Sequence, residues 1–99
     1  MLAGIERLRR AREILSQEGQ NSSDGALECL AEAAGECWSA AIDWDSWPVS
    51  LRVQAAVVQR SMFLHGAIRT TVDQMSDADR EKLRRDILEL VDAAERSPG

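Results

Sequence analysis

Apolar side chains recur three and four residues apart in four stretches of the chain, which is the spacing of amphipathic helices. The first stretch predicts a helix over about residues 3–17, and the glycine, asparagine and serines of residues 19–23 then supply turn chemistry. Ser23 or Asp24 can cap a second helix that ends near Trp44. The inward positions of the first helix are Met1, Ile5, Leu8, Ala11 and Leu15, and those of the second are Leu27, Leu30, Ala34, Cys37, Trp38 and Ala41.

A third helix begins at Pro48, because proline fits the first turn of a helix and keeps the preceding Trp47 out of the α region. The resulting tight corner predicts that the second and third helices are antiparallel neighbours. The third helix can extend to Met75, with Gly66 as the point where it kinks, breaks or crosses another helix closely. It is apolar on two sides and therefore needs cover on both. One side carries Val53, Val57, Leu64, Ile68 and Val72, and the other carries Leu51, Ala55, Val58 and Met62.

A fourth helix begins after Met75, where Ser76 followed three residues later by Asp79 resembles a capping box with a shorter acid. Asp77 also suits the positive end of the helix dipole. No strand-like alternation competes with these helices. The pattern predicts one all-α domain over residues 1–99, a compact four-helix bundle-like fold with antiparallel helices 2 and 3. The inward positions of the fourth helix are Leu83, Ile87, Leu90, Val91 and Ala94, and Ser97, Pro98 and Gly99 form a frayed tail.

The length and charge of the chain limit the number of domains and disfavour some functions. A chain of 99 residues holds one hydrophobic core. The formal net charge of −5 disfavours binding to nucleic acid. No apolar run approaches the roughly 20 residues of a membrane span, and charged residues interrupt the amino terminus before a signal-type stretch forms. We therefore expect a cytoplasmic protein without a membrane span.

The first helix is net basic, whereas the rest of the chain is net acidic. It carries Arg7, Arg9, Arg10 and Arg12 beside its apolar stripe. A helix of this kind can bind an anionic surface, either lipid or nucleic acid. An anionic-surface binding module is therefore one alternative function.

An acidic row follows on the second helix, where Glu28, Glu32 and Glu36 fall one turn apart and Asp24 can extend the row. Like charges at this spacing each cost about 0.2–0.5 kcal/mol in an isolated helix. A compensating basic surface is expected, either from arginines of the first helix or from the cluster at residues 80–85. The alternatives are simple solvation, a cation site or a basic partner.

Two cysteines are the first candidates for chemistry. Cys29 and Cys37 lie about 12 Å apart along the axis of the second helix, since each residue advances a helix by about 1.5 Å. A disulfide needs Cα atoms within about 7 Å, and a shared zinc needs both sulfurs on one ion. We therefore predict two reduced thiols and no shared metal.

The single histidine, His65, offers a second kind of chemistry. Without a Glu-x-x-His pair it does not predict a di-metal site. An exposed histidine in the middle of a bundle helix can carry phosphate between signalling proteins, typically in a His-x-x-Lys-Gly context. Here Gly66 is adjacent to the histidine and Arg69 stands where that glycine would be. A structural or surface histidine and a phosphotransfer histidine remain the two interpretations, and Arg69 would stabilise the phosphate in the second.

Three tryptophans are the remaining large signal. Trp38 is expected in the core, whereas Trp44 and Trp47 flank an acidic corner. Rings in that position either staple the second and third helices together or anchor a partner.

The chain shows no nucleophile-and-base motif and no glycine-rich phosphate loop. We therefore predict a non-enzymatic interaction or regulatory protein without cofactor or metal, with His65 phosphotransfer and anionic-surface binding as alternatives. Its partner is another protein or a second copy of the chain in a symmetric homodimer. The predicted partner-binding residues are Trp44, Trp47, Leu51, Val58 and Met62.

Overall fold

The computed structural model describes residues 3–16 and 23–97, without the side chains of residues 23–26 and of residue 43. These residues form five α-helices and one 3₁₀ helix, so the all-α prediction is confirmed for the described part of the chain. The helices are α1 (Ile5–Ser16), α2 (Ser23–Ala40), the 3₁₀ helix (Ala41–Ser46), α3 (Val49–Met62), α4 (Ile68–Gln74) and α5 (Asp77–Arg96). The predicted roles of Met1, the turn at residues 19–22, the Ser23 or Asp24 cap, Pro98 and Gly99 lie outside the described residues.

The core forms where α1 packs against α2 on one side and α5 on the other, while α3 covers α5. Each large aliphatic side chain buried there contributes roughly 1.5–3 kcal/mol. The predicted inward positions that lie among the described residues of the first and last helices are confirmed, and Ile14, which the predicted stripe omits, is buried as well. Their buried residues are Ile5, Leu8, Ala11, Ile14 and Leu15 in α1, and Leu83, Ile87, Leu90, Val91 and Ala94 in α5.

The predicted third helix is two helices, so the prediction of four helices is wrong in number. α3 ends at Met62, and Gly66 adopts a φ of +106°, a left-handed conformation that glycine tolerates best. The break is held by Thr71, which is fully buried and whose Oγ1 accepts a hydrogen bond from the backbone N–H of His65 at 3.0 Å. Of the three roles considered for Gly66, the structure has the break.

The start of α5 follows the predicted cap. Ser76 Oγ accepts a hydrogen bond from the backbone N–H of Asp79 at 3.2 Å, which satisfies one of the free donors of the first turn. Arg80 then reaches back to the end of α4 and donates to the carbonyls of Val72 and Asp73, each at 2.9 Å. These contacts fix the short α4 against the long α5.

The corner between α2 and α3 is a 3₁₀ helix followed by two extended residues. Trp47 is buried, and its Nε1 donates to the carbonyl of Ala3 at 2.7 Å, so the ring ties the start of the chain to the corner. The ring therefore lies in the core, while its role as a staple between the second and third helices stays a prediction. The antiparallel pairing of α2 and α3 stays a prediction.

Gly4 and Gly35 provide a matched test of the close approach between Gly4 and the end of α2. Gly4 has a φ of +81°, and a Cβ added there would lie 2.7 Å from the carbonyl oxygen of Ala40. Gly4→Ala should therefore lower the free energy of unfolding by more than about 1 kcal/mol. Gly35 lies within α2 with no atom within 4 Å of an added Cβ, so Gly35→Ala should raise it by about 0.5–1 kcal/mol. Urea unfolding followed by circular dichroism measures both, and equal effects of the two changes would contradict this account of Gly4.

Candidate interaction surface

The residues predicted to bind a partner lie mostly inside the chain. Trp47, Leu51, Val58 and Met62 are buried in the hydrophobic core, and Trp44 is half-buried against it. On α3 the buried set is Leu51, Ala55, Val58 and Met62, which packs toward α5. In this conformation, the side of α3 that we expected to contact a partner contacts the rest of the chain.

The opposite side of α3 is both apolar and exposed. Val49, Val53 and Val57 recur at four-residue spacing, which places them one above another on one helix face. Their exposed fractions are 66%, 59% and 52%. We call these three residues the valine stripe. Ala56, a small residue on the same side, is also exposed. The stripe makes this face of α3 both apolar and exposed.

Two aromatic rings lie at the surface near the end of α3. Trp38 of α2 and Phe63, the residue that follows α3, make an edge-to-face contact with ring centroids 5.1 Å apart and planes at 77°. Trp38 is 47% exposed, so the prediction that it lies in the core is wrong. Within residues 3–16 and 23–97, the other large exposed apolar side chains are those of Ile42 and Leu64.

An isolated exposed valine has no special meaning, because much of any protein surface is apolar. The valine stripe differs in its regularity, since one helix buries one apolar side and exposes another. Burial of each valine would contribute roughly 1.5 kcal/mol or more. The exposed face therefore retains a driving force that the fold of one chain does not use.

The arginines of α1 are engaged with carboxylates of the neighbouring helices. Glu36 of α2 lies 3.3 Å from Arg7 and 3.7 Å from Arg10, as the interpretation of the acidic row expected. Arg9 lies 3.6 Å from Glu95 of α5, and Arg12 also pairs with Glu95. Because exposed pairs contribute only about 0–1 kcal/mol, these contacts orient α1 between its neighbours more than they stabilise it.

The other end of the acidic row pairs with α4. Glu28 lies 2.6 Å from Arg69, a residue outside the basic cluster at 80–85 that we had considered as the compensating surface. Glu32 between them is exposed, and the side chain of Asp24 lies outside the described residues. Arg69 is therefore positioned by a carboxylate.

The cysteines have no disulfide between them, and Cys37 is buried on α2. Burial, together with the neighbouring Glu36 carboxylate, raises the pKa of the Cys37 thiol to about 12. At neutral pH this thiol is protonated and therefore a poor nucleophile. Among the described residues, no three histidine, cysteine, aspartate or glutamate side chains form a group that could hold a metal ion.

His65 is exposed, but it lies in the turn between α3 and α4 rather than in the middle of a helix. It borders a surface pocket of about 160 Å³ together with Lys82, Asp79 and Asp86. Lys82 is already 3.0 Å from Asp86, so the pocket mixes both signs of charge.

Within residues 3–16 and 23–97, none of the helices combines the length and apolar character needed to cross a bilayer. Comparison of the chain with known protein families, with curated proteins and with solved structures found no match.

Proposed function

We propose that the chain is a non-enzymatic interaction domain that self-associates as a homodimer through the valine stripe of α3. The observation that carries this proposal is the pair of apolar sides on one helix, of which the fold of a single chain buries only the side around Leu51 and Met62. The remaining side has the spacing and the exposure of a helix-packing surface.

A dimer interface of ordinary size would take up only part of the surface of this chain. The chain exposes 5756 Å², and a standard protein interface buries about 800 Å² on each partner, roughly one seventh of that area. α3 has 14 residues and is therefore about 21 Å long. The valine stripe spans most of that length, and the other large apolar side chains exposed among the described residues are those of Ile42, Trp38, Phe63 and Leu64.

We expect a second copy of the chain to cover the valine stripe. A closed two-fold dimer needs only one self-complementary patch, which both copies contribute. The sequence predictions of a cytoplasmic location and of a bundle with antiparallel second and third helices are retained in this proposal.

The two alternative functions have less support. An anionic-surface module would use the arginines of α1, which already pair with Glu36 and Glu95. A phosphotransfer protein would use a histidine in the middle of a helix, whereas His65 follows the end of α3.

Val53→Glu tests the proposed surface. Val53 is exposed in the single chain, so at concentrations where both proteins are monomeric the change should alter the free energy of unfolding by no more than about 0.5 kcal/mol. In the homodimer it would place a carboxylate in an apolar interface, and we expect the dissociation constant to rise at least about 100-fold, which corresponds to about 2.8 kcal/mol. Sedimentation velocity at matched concentrations measures the change.

Ala78→Glu is the control for an added acid away from this face, since Ala78 is exposed in the first turn of α5. It should self-associate like the unmodified chain. A Val53→Glu variant that self-associates as strongly as Ala78→Glu would overturn the assignment of the valine stripe.

A further inference from the structure

We infer that the two copies of the chain pair through α3 in an antiparallel orientation, with the two-fold axis passing beside Val53. This inference rests on the proposed function. The valine stripe is symmetric about its central residue, because Val49 and Val57 each lie four positions from Val53. An antiparallel pair centred there places Val49 of each copy opposite Val57 of the other and Val53 opposite Val53.

Apolar spacing alone does not set the direction, since a parallel pair would also place valine against valine. Charge at the two ends of α3 distinguishes the two directions. Arg60 is exposed in the last turn, and Asp45 is exposed in the 3₁₀ helix that precedes α3. Between Val49 and Met62 the only charged residues are Arg52 and Arg60, so α3 itself contributes no acid.

The antiparallel pair brings the basic end of each α3 to the end of the other copy where Asp45 lies. Arg60 then approaches an opposite charge, and the helix dipoles are also opposed. The parallel pair would instead bring Arg60 beside Arg60, and like charges that are brought together repel. The distribution of charge therefore favours the antiparallel orientation.

Close packing at Val53 is geometrically reasonable. Packed helices lie about 8–10 Å apart, and each Cα lies about 2.3 Å from its helix axis, so directly facing Cα atoms lie about 3.4–5.4 Å apart. Valine and alanine side chains on this face permit such an approach. A disulfide requires Cα atoms about 4.4–6.8 Å apart, so cysteines placed across the axis can be joined.

Cysteine cross-linking tests the orientation. Val53→Cys, Val49→Cys and Val57→Cys are each prepared in the full chain and oxidised by dissolved oxygen with a copper–phenanthroline catalyst. Each bond joins two thiols that lose two protons and two electrons to oxygen.

We expect at least half of Val53→Cys to run as a covalent dimer on a non-reducing gel, and less than one tenth of Val49→Cys or Val57→Cys alone. An equimolar mixture of Val49→Cys and Val57→Cys should give a covalent dimer that neither forms alone. The unmodified chain, oxidised identically, is the control for Cys29 and Cys37.

The outcomes separate this inference from the proposal beneath it. If Val49→Cys and Val57→Cys each cross-link with themselves and not with one another, α3 pairs in parallel and the inference is overturned. If the reduced variants sediment as dimers but Val53→Cys does not cross-link, the inference is also overturned while self-association stands. If the unmodified chain sediments as a monomer, the proposed homodimer itself fails.

Discussion

Met62→Glu is expected to unfold the chain rather than to separate two folded subunits. Met62 is completely buried at 0% exposure, on the side of α3 that packs toward α5. Glutamate there loses the apolar contacts of methionine and places a carboxylate away from water. We expect the free energy of unfolding to fall by about 4 kcal/mol or more, a large part of the 5–15 kcal/mol typical of such domains. Urea unfolding followed by circular dichroism at 222 nm, a standard helix wavelength, measures the loss.

Two controls identify the cause of this loss. Met62→Leu nearly conserves volume and should cost less than about 1.5 kcal/mol. Val57→Glu adds the same acid to the exposed side of the same helix and should leave the chain folded. If Met62→Glu folded as stably as Val57→Glu, Met62 would face outward and the assignment of the two sides of α3 would be wrong.

Trp47→Ala should have the second large effect on stability. The ring is 2% exposed, and its Nε1–H bonds the carbonyl of Ala3. Removing a buried aromatic side chain typically costs about 3–5 kcal/mol, because the loss of apolar contact adds to the cavity that remains. The same unfolding measurement applies to this variant.

Trp47→Phe separates the hydrogen bond from the packing. Phenylalanine retains much of the apolar contact but has no donor for the Ala3 carbonyl, so we expect a loss of about 1–3 kcal/mol. A loss below about 1 kcal/mol for Trp47→Ala would show that Trp47 does not hold the corner.

Local patterns predicted much of this fold because they depend on neighbouring residues. α1 and α5 each have a single apolar face, so spacing alone identifies the residues that each helix buries. The cap at Ser76 depends only on residues within one turn. Gly66 predicts a weak point in the helix, but the break itself also depends on Thr71, whose hydroxyl bonds the backbone of His65 and Gly66.

The side of α3 that enters the core could not be predicted, because both sides are apolar. Which side enters the core depends on the position of α5, and that position is set by contacts between residues distant in sequence. Trp38 was assigned to the core for a similar reason, since it continues the apolar stripe of α2. In the structure the Trp38 ring contacts Phe63 and is exposed to solvent.

The acidic row shows the same limit for charged residues. The pairing of Glu36 with arginines of α1 was anticipated, because the first two helices are adjacent in sequence and have opposite charge. The pairing of Glu28 with Arg69 does not follow from the sequence, because it depends on the break between α3 and α4, which lets α4 turn toward α2.

Sedimentation equilibrium of the unmodified chain tests the central claim most directly. The proposed homodimer predicts a species of twice the 11.0 kDa chain mass at micromolar concentrations, with dissociation on dilution. Val53→Glu should remain at 11.0 kDa under the same conditions, while its circular dichroism spectrum matches that of the unmodified chain. An unmodified chain that stays at 11.0 kDa across the whole micromolar range would contradict the claim that the valine stripe of α3 joins two copies.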